Sequence, residues 1–202
     1  MKSKKIFKAT FLVMVITIAS RFLGLIRDSL VAYYFGAGAI TDAYKAAVMV
    51  PETLFTIIGL GVSTVFIPML SKIRYRDSKE KMFEFANNVI GLLIIMSLCI
   101  FVLGNIFTES IVNIIAPGFS KENMELAISL TRISLINLLF MSVNVCFLSM
   151  LQVCEDFVIP SILGMFFNAP IILYLIIFKD VNILGVTIAN VIGNILRVVV
   201  QI

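Results

Sequence analysis

The sequence predicts an all-α polytopic membrane protein of six transmembrane helices, and three observations carry that expectation. Hydrophobic residues make up 60% of the 202, charged residues only 14%, and the mean hydropathy is +1.08. A water-soluble domain needs far less apolar material. Residues 53–71, 88–107, 133–154 and 157–178 contain no charged side chain, and each approaches the roughly 20 residues that cross hydrocarbon. Membrane β-strands would instead read as runs of about 10 residues with alternating polarity, and no such alternation occurs.

The first span, residues 6–35, is long enough to bend or tilt. Its basic start, Lys2-Ser3-Lys4-Lys5, resembles the head of a signal peptide, but no small-x-small cleavage site follows, so the span is expected to be retained. Gly36-Ala37-Gly38-Ala39 reads as a tight turn into the second span, 42–71, with Thr41 or Asp42 as its cap. Pro51 should open the backbone inside that span, which is tolerated where irregular chain lines a cavity. Gly59 and Gly61 add pliability. Ser78-Lys79-Glu80-Lys81 opens the third span, 82–107. Residues 109–116 (ESIVNIIA) are too short to cross, are broken by Pro117-Gly118, and are expected to lie along the interface. Residues 120–125 (SKENME) lead into the fourth span, 124–154. The short link at Glu155-Asp156 makes the fourth span and the fifth, 157–178, expected antiparallel neighbours. The sixth, 181–202, is interrupted only by Arg197, which reads as a side chain snorkelling to the inner surface.

Basic residues sort by loop. Lys2, Lys4, Lys5 and Lys8 precede the first span, and Lys72, Arg74, Arg76, Lys79 and Lys81 fill the link between the second and third. The alternate loops carry only Lys121 and Lys179. The positive-inside rule therefore predicts a cytoplasmic N-terminus, and six spans return the chain to the cytoplasm. The net charge of +4 is a topology signal rather than a nucleic-acid footprint. Cys99, Cys146 and Cys154 lie in or at the end of apolar spans and show no metal-ligand spacing, so they read as small buried hydrophobes. Histidine is absent, which removes the commonest general base and metal ligand. The expectation is a protein that is not an enzyme and needs no cofactor.

The most informative stretch is SRFLGLIRD at 20–28, where Arg21, Arg27 and Asp28 sit inside the first span. Each charge near the bilayer centre costs roughly 2.5–3.5 kcal/mol on insertion scales, so a polar, protein-lined cavity is expected there. Arg21 and Asp28 are seven residues apart and share a helical face, while Arg27 points roughly 120° away. Asp42 and Lys45 can pair at the head of the second helix, and Glu52 lies on the same face as Lys45. Two readings stay open. The charges pair with one another (Arg21 or Arg27 with Asp28, Lys45 with Asp42 or Glu52) and fix helix packing. Alternatively, they line a cationic cavity for an anion, for which guanidinium suits phosphate because its fork bonds two oxygens and stays charged. Arg27 and Asp28, being adjacent, are not expected to face one cavity together.

The block at 20–28, with FGAG at 35–38 and TDAY at 41–44, closely resembles the N-terminal signature of the MurJ/MviN family. These are lipid II flippases of the multidrug/oligosaccharidyl-lipid/polysaccharide exporter superfamily. The resemblance continues through Val50-Pro51, FIP at 66–68, APGF at 116–119, TRI at 131–133, EDFVIP at 155–160 and Asn168, and so covers essentially the whole chain. It implies a fold of two six-helix lobes plus two further helices, with residues 1–202 forming the N-terminal lobe and a C-terminal lobe absent from this chain. It implies a bacterial inner-membrane location and a central cavity whose arginines, here Arg21 and Arg27, hold the pyrophosphate of a polyprenyl-linked peptidoglycan precursor. Asp28, Asp42, Lys45 and Glu52 would form a gate or ion-coupling network, with Asp42 matching the family's acidic residue after the outer turn. One departure stands out. Where many relatives carry an Arg-Arg pair and a Glu after the proline of the second span, this chain reads Phe55-Thr56 and Leu60. That fits a divergent branch or a relative that moves another polyprenyl-linked glycan. The rival functions are an ion-coupled exporter of drugs or polysaccharides from the same superfamily, and a non-transporting membrane scaffold.

Overall fold

The computed structural model describes residues 2–202, with side chains described except at positions 2–7, 9, 57, 58 and 63. The side chains of Lys2, Lys4 and Lys5, on which part of the orientation argument rests, therefore lie outside the described ones. Eight α-helices are described: α1 Lys2–Phe35, α2 Ala39–Arg76, α3 Lys79–Ile106, α4 Thr108–Ile115, α5 Lys121–Ser134, α6 Asn137–Val153, α7 Val158–Ile177 and α8 Ile183–Val199. No strand occurs among the described residues. Four of these helices, α1, α2, α3 and α7, are long and apolar enough to cross a membrane. A fifth crossing arises if α5 and α6, bent by 42° at their junction, count as one. The apolar helix α8 is shorter, at 17 residues.

Several expectations at helix ends hold and others need correction. Ser78 caps α3 by accepting a hydrogen bond from the Lys81 amide. Its hydroxyl, after the Glu80 amide itself, also holds the Glu80 carboxyl below its usual range. The 109–116 stretch does form a short helix, α4, that ends at Ala116 before Pro117. Neither Thr41 nor Asp42 caps α2, however. That helix begins at Ala39 with Gly38 as its cap, and the Thr41 hydroxyl instead donates back to the Gly36 carbonyl at 2.6 Å. Gly36 itself adopts a φ of 74°, a left-handed conformation that glycine reaches without strain.

Pro51 also behaves differently from expectation. The helix α2 runs unbroken through both Pro51 and Pro68. Pro51 is buried, next to the fully buried Ala47 and Val50. Packing on both sides holds the helix although proline lacks an N–H for the ladder.

Close packing is carried by small residues, as expected where lipid removes the hydrophobic drive between helices. Against α1, α7 presents Gly164 to Ser20, so closely that no Cβ could be added without displacing the serine hydroxyl. Against α8, a Cβ built on Gly193 would lie 2.5 Å from the Phe167 carbonyl oxygen. The helix α7 accordingly sits between α1 and α8, while α6 packs on α2 and α3. The antiparallel α6–α7 pair expected from the short Glu155-Asp156 link does not form, and contact between the two is slight. A short loop fixes only where two helix ends meet; the glycine contacts decide which helices lie side by side.

Polar side chains join the buried elements. Asn137 donates to Asn190 at 3.0 Å, linking α6 to α8, and Ser97 and Ser142 share a hydrogen bond between α3 and α6. Gln201 donates to Asn144 at 2.7 Å. Two apolar clusters flank this seam. One brings together Val31, Tyr44, Leu130, Phe167 and Ile171; the other brings Phe66, Leu70, Met82 and Cys146. Outward faces such as Leu25, Leu60, Ile95 and Ile176 are apolar and exposed, the pattern of helices solvated by lipid.

Candidate functional site

Two polar hollows meet at Phe167. The first, about 300 Å³, lies between α1, α2, α7 and α8 near the Gly36 turn, and its charged lining is Arg27, Asp28, Lys45 and Glu52. The second is a shallower groove towards the other end of the molecule, lined by Ser20, Arg21, Arg27, Asn168 and Arg197 among others. A small enclosed cavity of about 60 Å³ connects the two sets of residues, bringing Glu52, Asn137, Asn190, Asn194 and Arg197 together.

The charges divide unequally between the hollows. In the first, two basic and two acidic side chains balance. The groove is lined by three arginines and no carboxylate, although Arg27 reaches Asp28 outside it. The groove therefore carries the excess of positive charge, while the first hollow is formally neutral.

Arg27 belongs to both and is the best anchored of the charges. Its Nε and Nη2 each lie 2.9 Å from Asp28 Oδ1, and its Nη1 donates to Asn168 at 3.0 Å. Asn168 is held in turn by donating to the Gly164 carbonyl at 2.9 Å. Three of the five donors of the guanidinium are thus engaged, so it is oriented while keeping N–H groups to offer. Arg27 and Asp28 do face one hollow together, contrary to the geometric expectation, because the arginine curls back along the helix to reach its neighbour.

Arg21 lines the groove, is exposed, and forms no ion pair with a described residue. Lys45 lines the first hollow but pairs with neither Asp42 nor Glu52; the ion pairs among the described residues are Arg27–Asp28 and Lys81–Asp77. Asp42 is exposed in the first turn of α2 and does not line either hollow. Of the six sequence-selected residues, four therefore share the first hollow, Arg21 shares the groove with Arg27, and Asp42 stands apart.

Arg197 was expected to snorkel. Instead its guanidinium carbon sits 4.1 Å from the centre of the Phe167 ring, which Arg27 also approaches at 5.5 Å. Cation–π contact of this kind strengthens where water is excluded. Two buried polar atoms in the groove, Arg197 Nε and Ser20 Oγ, have no hydrogen-bond partner. A signal for this was present in the sequence. Thr187, Asn190, Asn194, Arg197 and Gln201 recur at spacings of three and four, a polar stripe on one face of an apolar helix. Phe55 packs into a cluster with Val50, Leu135 and Leu138, and Thr56 returns its hydroxyl to the Glu52 carbonyl at 2.8 Å. Neither contributes a charge.

Known proteins resemble this chain over most of its length. The family model described as "Lipid II flippase MurJ" matches residues 31–202. Among relatives, the probable lipid II flippase MurJ of Aquifex aeolicus is 32% identical over 197 residues, covering 96% of this chain and 39% of that protein. That of Buchnera aphidicola subsp. Baizongia pistaciae is 33% identical over 202 residues, covering 97% and 39%. The lipid II flippase MurJ of Thermosipho africanus is 32% identical over 189 residues, covering 93% and 39%. A solved structure titled "Lipid II flippase MurJ, inward closed conformation" superposes with a TM-score of 0.81 at 32% identity, covering 94% of this chain and 40% of that one. The chain thus spans about two fifths of the length of the relatives it matches. With the family model and the relatives running across nearly all of its helices, this chain belongs to the lipid II flippase MurJ family.

Proposed function

We propose that this chain forms one six-span wall of a flippase that moves lipid II, a polyprenyl-pyrophosphate-linked peptidoglycan precursor, from the cytoplasmic to the outer leaflet of the bacterial inner membrane. The observation that carries the reading is the groove lined by Arg21, Arg27 and Arg197 and by no carboxylate, Asp28 meeting Arg27 alone, with two buried polar atoms left unpartnered. A pyrophosphate supplies what is missing: several negative oxygens for the guanidinium forks and acceptors for the free Ser20 hydroxyl and Arg197 Nε–H. The chemistry is binding and alternating access, with no covalent bond made or broken. In the N-terminal lobe the six spans are α1, α2, α3, the bent pair α5–α6, α7 and α8. A second lobe supplies the facing wall. The groove lies towards the basic ends of the helices, which supports a loading site on the cytoplasmic side. The charge-balanced hollow beyond Phe167 acts as the gate. There Glu52 and Lys45, unpaired in this state, exchange partners as the lobes rock, and Asp42 at the outer end meets the opposite lobe. Moving a charge through the field is worth about 2.3 kcal/mol per 100 mV, so the membrane potential is an adequate drive.

Arg21→Ala tests the groove. In a protein carrying both lobes it is expected to abolish rescue of a flippase-depleted strain while the protein remains in the membrane. Removing the charge eases insertion by roughly 2.5–3.5 kcal/mol, so lost activity could not be blamed on failed insertion. Arg21→Lys should rescue partly, keeping the charge and losing the two-oxygen grip. Growth of Arg21→Ala like wild type would replace this reading with a structural role for the charges.

Orientation has its own test. In a variant lacking Cys99, Cys146 and Cys154, single cysteines at Ser78 and Ser120 should react oppositely with an impermeant thiol reagent, Ser120 from outside the cell. Labelling of Ser78 from outside intact cells would invert the topology.

A further inference from the structure

Behind Phe167, four helices each turn one face to the small enclosed cavity of about 60 Å³. Glu52 comes from α2, Asn137 from α6, and Asn190, Asn194 and Arg197 from α8, while Phe167 closes it from α7. On α8 the three recur at spacings of four and three, and so share one face. The lining holds one carboxylate and one cation. Two of its polar atoms are buried without a hydrogen-bond partner: Nε of Arg197, a donor, and Oδ1 of Asn137, an acceptor. Asn137 is only 2% exposed. Its amide nitrogen already donates to Asn190 at 3.0 Å, which fixes the oxygen as the free end.

The chemistry of that lining selects its occupant. A sodium ion would lie against the Arg197 guanidinium, and a chloride ion against the Glu52 carboxylate. A neutral molecule that both donates and accepts satisfies all three groups at once, and a polar cavity of this size is one that water occupies. Water thereby links Glu52 to Arg197, which form no direct ion pair. The other basic neighbours are less available to Glu52. Arg27 holds Asp28 at 2.9 Å. Lys45 stands two turns back on α2, about 10 Å along the axis, and its side chain leans away towards the helix N-terminus. Glu52 is exposed and also lines the first hollow, so it can turn between hollow and cavity without repacking the core.

We propose that Glu52 is the exchangeable counter-charge of Arg197, joined to it by water in the cavity behind Phe167, and that pyrophosphate enters the groove by displacing it. The inference rests on the transport reading of the groove and adds a step to it, the reset of the unloaded wall. With pyrophosphate bound, Arg197 faces the groove and Glu52 faces the first hollow. When pyrophosphate leaves, Arg197 is left without a counter-charge, which is costly within a membrane. Glu52 then takes over Arg197 through the bridging water, which helps to expel the phosphate and lets the empty wall return. Glu52 is thus a positioning residue that acts on the substrate through Arg197.

The test is the affinity of inorganic pyrophosphate for the full 202-residue chain in phosphatidylcholine nanodiscs, measured by equilibrium dialysis. Glu52→Gln, which keeps the shape and removes the charge, should bind about tenfold tighter, the lower end of what a hydrogen bond to a charged group contributes. Glu52→Asp should bind like wild type. Glu109→Gln, which removes an equal charge from the exposed face of α4, should change nothing. In an Arg197→Gln background, Glu52→Gln should gain nothing, because the group competed for is gone. A gain that persists in that background, or Glu52→Gln binding no tighter than wild type, would overturn the release role and leave the groove reading intact. Failure of the wild-type chain to bind pyrophosphate at all would overturn the groove reading and the release role together.

Discussion

Arg197→Ala, in a protein carrying both lobes, is expected to lose transport as completely as Arg27→Ala. The sequence alone suggests the opposite, since one arginine near the inner end of an apolar helix reaches the surface by default. In the fold its Nε is buried without a partner and its guanidinium lies against the Phe167 ring. Glu52 lines the same small cavity but forms no ion pair with it. Its charge is therefore neutralised by nothing fixed, whereas Arg27 already holds Asp28. A hydrogen bond to a charged group contributes about 1.5–3 kcal/mol, so losing one contact to pyrophosphate lowers affinity by roughly tenfold to a hundredfold. Arg197→Lys should recover only part. A double-mutant comparison separates binding from packing. If Arg21 and Arg197 grip the same anion, the pair of alanines costs less than the sum of the singles, because residues sharing a partner are not additive. Additive losses, or an Arg197→Ala protein with wild-type transport, would remove Arg197 from the site.

What could be read from the sequence follows from how loudly each residue contradicts its surroundings. Arg21, Arg27 and Asp28 interrupt apolar chain in the middle of a span, and no surface is within reach, so a cavity had to follow. Arg197 broke the pattern near a helix end, where a bland explanation was at hand. Only the three-and-four spacing of Thr187, Asn190, Asn194 and Gln201 around it marks that face as inward. The charge balance of the two hollows was out of reach, because it depends on which way Arg27 curls and on Asn168 from α7 meeting it. Pro51 shows the converse. Its local rule predicted an opening, and packing around the buried Ala47 and Val50 overrode it. The order of helices around the site was misjudged at the Glu155-Asp156 link for a related reason. Loop length is local information, while the α1–α7–α8 layer is decided by Gly164 and Gly193, whose partners lie far along the chain.

Gly193 should accordingly be the position where a single added carbon does most damage to both fold and site. A Cβ there would lie 2.5 Å from the Phe167 carbonyl oxygen, 3.0 Å from a ring carbon and 3.3 Å from the carbonyl carbon. Two of those atoms are backbone in the middle of α7, so no side-chain rotation relieves the clash and α8 must move away. Gly193→Ala gains up to about 1 kcal/mol of helix propensity, but overpacking of this kind typically costs about 1–3 kcal/mol, and Gly193→Val exceeds that. Gly91 in α3 is the control, since a Cβ there meets nothing within 4 Å, so Gly91→Ala should be neutral or slightly stabilising. Thermal unfolding in detergent should rank Gly91→Ala at or above wild type, then Gly193→Ala, then Gly193→Val. Transport should fall in the same order, because Phe167 is the ring against which both Arg27 and Arg197 are held. If Gly193→Ala melts and transports like Gly91→Ala, the close approach of α7 and α8 is not what shapes the groove or holds Arg27 and Arg197 in place.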